Sequence, residues 1–163
     1  MELLPKQEYN NDDVSDLPAL PSLVRMKDGQ LVDTASNIWQ VRSPKRGTYH
    51  TIDWNRLEGP GKRPALSVRA RHLAKLYMVY SLSKRVWTTN LEYFTSLIYF
   101  DRWLGEQFDS SSLTQKCFDW GDLDERCIRA FQIWRSKQTV RAGHALSHLR
   151  ILYPSLRVPL LVT

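Results

Sequence analysis

A chain of 163 residues with 42% hydrophobic and 25% charged residues has room for one buried core and a small extension, with the make-up of a globular protein. Two cysteines, Cys117 and Cys127, are too few for a disulfide scaffold and lack metal-site spacing, and no apolar run approaches the ~20 residues of a membrane helix. The net charge of +6 is unevenly spread: residues 1–20 hold five acids against Lys6, which leaves +10 on the remainder, and nine Lys and Arg between Arg42 and Lys75 face only Asp53 and Glu58. Such a surface suits a polyanion, nucleic acid being the commonest, and the free thiols suit a reducing cytosol.

Residues 1–22 mix acids, Asn and three prolines and are expected to be a disordered acidic leader. Residues 23–63 change character. Leu23-Val24-Arg25-Met26 precedes an Asp28-Gly29 turn signal, while Ile38-Trp39-Gln40-Val41 and Tyr49-His50-Thr51-Ile52-Asp53-Trp54 read as strands joined through Pro44 and Gly47. A small antiparallel hairpin or three-stranded sheet follows, with Trp39 and Trp54 in its core, and Gly59-Pro60-Gly61 begins a linker.

Residues 64–153 have helical periodicity. The first helix spans 66–82, with Leu66, Ala70, Leu73, Tyr77 and Tyr80 inward and Arg71, His72 and Lys75 opposite, so Arg69, Arg71 and Lys75 read as solubilising charge. The second spans 89–108, capped by Thr88 or Thr89. Its Tyr93, Phe94, Leu97, Ile98, Phe100, Leu104 and Phe108 make a face broad enough for a central helix. Asp122 and Glu125 start a third, burying Leu123, Cys127, Ala130 and Trp134. A fourth over 139–153 packs Ala142, Leu146, Leu149 and Tyr153, and Pro154 opens a tail over 154–163.

Two helices thus begin just after basic residues, at Lys84-Arg85 and at Ser136-Lys137. A helix N-terminus presents unsatisfied N–H groups and partial positive charge, so Lys84, Arg85, Thr88, Thr89 and Lys137 form candidate phosphate clamps. Arg141, His144 and His148 extend the polar face of Lys137, either as further phosphate contacts or as a plain solvated face. Metal binding by His144 and His148 is disfavoured, because Ala-Leu-Ser lies between them and no third ligand is evident. No phosphate loop, nucleophile elbow or catalytic triad is present, which favours a binding module needing no cofactor.

The basic turn, the helix bearing Phe100-x-x-Trp103-Leu104, the shorter helix, and Ser136-Lys137-x-Thr139-Val140 running to Leu146-x-x-Leu149-Arg150-x-x-Tyr153 together resemble the N-terminal core-binding domain of phage-integrase-type tyrosine recombinases. Ile38-Trp39-Gln40-Val41 and Ile52-Asp53-Trp54-x-x-Leu57 resemble the leader of some integrases of bacterial mobile elements. The likeness implies a mainly α fold, a four-helix SAM-like bundle preceded by the β extension. It further implies double-stranded DNA and other recombinase protomers as partners, a bacterial cytoplasm as location, and no membrane. The family's catalytic domain carries Arg, Lys, a His-x-x-Arg pair and a nucleophilic Tyr. Here His144 is followed three residues later by Ser147, and Tyr153 lacks that context, so no catalytic residue carries over and no strand cleavage by this chain is expected. A regulatory or protein-interaction module of a mobile-element complex is the alternative.

Overall fold

Alternating apolar and polar residues build the N-terminal third. A computed structural model describes residues 13–43, 46–111 and 118–138, without the side chains of 108–111. Strands β1 (Leu23–Arg25) and β2 (Leu31–Asp33) pair antiparallel, as do β3 (Ile38–Arg42) and β4 (Tyr49–Asp53). The expected β extension is therefore two hairpins, each of two strands. In the first, the Gly29 N–H donates to Met26 O at 2.9 Å and Met26 N–H to Gln30 O at 2.8 Å, and Gly29 takes the positive φ of 93° that closes a three-residue loop. The Gln30 side chain then acts as a surrogate strand: its amide accepts from Arg42 N–H and donates to Arg42 O, both at 2.9 Å, which ties the hairpins together.

Four helices are described: α1 (Asn55–Glu58), α2 (Val68–Lys84), α3 (Trp87–Ser111) and α4 (Glu125–Gln138), with a 3-10 turn at Trp120–Asp122 before the last. Hairpins and helices bury one shared apolar cluster. Trp39 meets Trp54 edge-on at 5.2 Å, and Trp54 meets Phe94 of α3 at 5.1 Å, so the β elements cap the helices rather than stand apart from them. At the other end, Phe100 contacts Phe118, Trp120 and Phe131 at 5.2 to 5.8 Å. Helix α3 is the central element that the broad stripe foretold, with Tyr93, Phe94, Leu97, Ile98, Phe100 and Leu104 all buried.

Several expectations need correction. On α2 the inward face is rotated: Ala70, Ala74, Tyr77, Met78, Ser81 and Leu82 are buried, Leu73 is partly so, and Tyr80 is exposed. Small Ala70 and Ala74 let the neighbours approach there, where bulkier residues would hold them off. The helix start is set by Ser67, whose hydroxyl accepts from Ala70 N–H at 3.0 Å and donates to Asp119. Arg69, Arg71 and Lys75 are not free solubilising charge. Arg69 forks onto Asp16 at 2.5 and 2.9 Å, and Arg71 and Lys75 both bind Glu58 of α1. Residues 13–22, expected as the end of the leader, consequently lie along α2, where His72 also meets Pro18 O at 2.8 Å.

Helix α4 starts beyond Asp124, which accepts from Cys127 N–H at 2.8 Å. The Asp122 carboxylate instead bonds Asp119 N–H at 3.1 Å in the box that closes the 3-10 turn. Ala130 faces out, because Phe131 inserts between Phe100 and Trp103 and fixes the helix one position around from the expected face. The helix expected over 139–153, the tail and Cys117 lie outside the described residues.

Candidate nucleic-acid interface

The corner between α2 and α3 holds Lys84 and Arg85, the residues of the first expected clamp. Helix α2 ends at Lys84, Arg85 caps it in extended conformation with its N–H on Ser81 O at 2.8 Å, and α3 begins two residues later. Asn90, fully buried one turn into α3, donates from Nδ2 to Val86 O at 3.0 Å and to Arg85 O at 3.4 Å. Those bonds fix the turn, so Lys84 and Arg85 project from a rigid corner. Both are exposed, and no salt bridge among the described residues involves either. Asn90 was not singled out from the sequence, where a mid-helix Asn carries no signal of its own.

Thr88 and Thr89 are not caps. The helix starts at Trp87, which places both threonines inside its first turn, Thr88 exposed and Thr89 half-buried. The capping position falls to Val86, whose carbonyl accepts from Asn90 N–H at 3.3 Å. No acid occupies that first turn, so its positive end is not locally neutralised by one.

Lys137 stands elsewhere. Helix α4 continues through Ser136 and Lys137 to Gln138, so this lysine lies in a C-terminal turn, where a cation complements the helix dipole, and not ahead of an N-terminus. Arg141, His144 and His148 lie outside the described residues. Nearby cations are already engaged: Arg135 sits 3.6 Å from the Tyr99 ring centre and Arg102 5.1 Å from it. Tyr99 is twelve residues, or roughly 18 Å of helix, from Trp87, so the α3–α4 contact and the α2–α3 corner are well separated.

No family model, curated protein or solved structure matches the chain.

Around the corner lie aromatic neighbours that strand patterning alone had assigned no role. His50 of β4 stacks on Trp87 with centres 4.5 Å apart and planes at 19°. Tyr80, one helical turn before Lys84, is 56% exposed, Val86 56% and Tyr49 62%. A half-buried carboxyl lies at the far end of α2. Asp101 accepts from Ala65 N–H at 3.0 Å and Leu66 N–H at 3.3 Å, yet burial holds its pKa above the ordinary carboxylate range. Burial likewise raises Cys127, to about 11, which disfavours its thiolate. No helix among the described residues is long and apolar enough to cross a membrane.

Proposed function

We propose that this chain is the DNA-binding, core-site-gripping part of a tyrosine recombinase or integrase of a mobile element. On this reading it holds duplex DNA mainly through phosphate contacts, and its helices belong to a SAM-like bundle. The observation that carries the reading is the α2–α3 corner, where exposed Lys84 and Arg85 flank a helix N-terminus whose first turn holds no acid. The chain's positive charge outside its first 20 residues supports it, since phosphate neutralisation dominates such binding. Cleavage and joining belong to a separate catalytic domain, and other protomers would assemble on the same DNA. Exposed Leu23, Leu31 and Ile38 on the hairpins favour a second reading, docking of a protein partner.

The test is fluorescence anisotropy with a labelled duplex between 50 and 200 mM salt. Binding should weaken steeply with salt, and Lys84→Ala with Arg85→Ala should flatten the slope of log affinity against log salt by about 1.8. Arg69 and Lys75 are unsuitable controls because both are tied into the fold. Lys62→Ala with Arg63→Ala is the charge-matched control, since both are exposed and precede α2, whose 17 residues span about 25 Å from its start to the corner. Equal losses in control and corner variants would mean diffuse charge attraction. Incubation with nicked DNA should leave no covalent adduct, and a tyrosine-linked product would overturn the division of labour.

A further inference from the structure

Exposed cations gather on both sides of the His50–Trp87 stack. On the helical side are Lys84 and Arg85. On the strand side, Arg42 ends β3 opposite Tyr49 in register, and Arg46 stands in the connection to β4. Arg46 is four residues from His50 and Lys84 three from Trp87, so the backbones of all four cations fall within about 15 Å of the stack. None of the four is in a salt bridge among the described residues.

The strand side is rigidly presented as well. Arg42 has both backbone groups held by the Gln30 amide at 2.9 Å, and the hairpin closes through Ser43 N–H to Thr48 O at 2.8 Å and Gly47 N–H to Ser43 O at 3.0 Å. Gly47 takes a φ of 63°, a left-handed turn that an L side chain would strain. The same Gln30 Nε2 also donates to the Asp28 carboxylate at 2.7 Å. Exposed Tyr49 and Tyr80 stand beside the cations, as amphipathic rings do on surfaces that contact sugar and phosphate.

We infer that the β3–β4 hairpin and the α2–α3 corner form one composite surface for the phosphate backbone of duplex DNA, with Arg42 and Arg46 contributing alongside Lys84 and Arg85. His50 is a positioning residue: its ring seats the hairpin on Trp87 so that the two cation pairs face one polyanion. The inference rests on the DNA-binding reading and assigns half of the grip to a segment outside the helices.

Anisotropy with the same duplex separates the two. Four phosphate contacts correspond to a slope near −3.6, or about a 150-fold loss of affinity from 50 to 200 mM salt. Arg42→Ala with Arg46→Ala should lower that loss to about 12-fold, as should Lys84→Ala with Arg85→Ala. His50→Ala should weaken binding and flatten the salt slope toward that of the Arg42/Arg46 variant, and His50→Phe, which keeps a ring on Trp87, should restore both. If the Arg42/Arg46 variant keeps the full slope while the Lys84/Arg85 variant loses it, the hairpin is not part of the surface and the corner alone binds. Failure of the unaltered protein to bind duplex DNA would remove the DNA-binding reading itself, whereas an equal loss in the Lys62/Arg63 control would mean diffuse charge attraction and remove the composite surface. Failure of His50→Phe to rescue binding would remove the positioning role.

Discussion

Glu58 joins three elements, and its removal should unlock them. Its carboxylate meets Arg71 Nη1 at 2.9 Å and Lys75 Nζ, while Lys75 also donates to Asn37 Oδ1 at 3.0 Å and lies 5.5 Å from the Trp54 ring centre. The three charged side chains are only 13% to 19% exposed, so this cluster stands between a solvated surface pair and a buried one. Surface pairs contribute about 0–1 kcal/mol, whereas removing one member of a buried pair costs about 3–5 kcal/mol because the partner's charge stays desolvated. Glu58→Ala strands two cations but leaves each some water, which places the cost at roughly 3 kcal/mol. For a chain of this size that lowers Tm by about 6–12 °C, readable by calorimetry or circular dichroism. Lys75→Met keeps the apolar stem against Trp54 and removes the charge, so the double variant should be more stable than the two single losses summed, by about 1 kcal/mol or more. A Glu58→Ala variant within 0.5 kcal/mol of the parent, on the order of error in additivity, would refute the argument and leave apolar packing as what docks the hairpins on α2.

Two neighbouring tryptophans should respond differently to loss of the indole N–H. Trp39 Nε1 donates to Ser36 O at 2.7 Å whereas buried Trp54 Nε1 has no partner, so in urea melts Trp39→Phe should cost about 1 kcal/mol more than Trp54→Phe. Tyr93, whose buried hydroxyl is likewise unpartnered and whose pKa burial drives well up, should tolerate Tyr93→Phe with no loss of stability, and a loss above about 1 kcal/mol would show a hydrogen bond there. Because burial raises Asp101, the folded state prefers its neutral form; the associated stability is complete below the ordinary Asp pKa and is lost as pH climbs through the raised one. Asp101→Asn should therefore gain on the parent between pH 4 and pH 7, and a relative loss over that range would contradict the assignment. With Cys127 near 11, only about 0.1% is thiolate at pH 8, so in a Cys117→Ser variant an aromatic disulfide reagent should react about 20-fold more slowly than with an ordinary thiol, the scarcity of thiolate being partly offset by its greater basicity.

Much of the local architecture was legible in the residues. Alternation around Trp39, Val41 and Ile52 placed the strands of the second hairpin, Asp28-Gly29 placed the turn of the first, and the broad apolar face from Tyr93 to Leu104 marked α3 as central. Periodicity works there because side chains on one element share a face whatever the partner. It worked less well on α2 and α4, where Ala70 with Ala74 and Phe131 rotate the packed faces, since how closely a neighbour approaches depends on small or bulky residues that a hydropathy pattern weighs alike. Which charges on α2 are solvated was not legible: Glu58 takes Arg71 and Lys75 from 13 and 17 residues away, and Asp16 takes Arg69 from 53. The candidate surface divides in the same way. Lys84 and Arg85 announce themselves by standing between two helical patterns, but only tertiary packing sets His50 on Trp87 and brings Arg42 and Arg46 alongside. Sequence determines what each segment can bury or expose; the fold decides which charges remain unpaired at the surface, because pairing depends on distances that chain order does not contain.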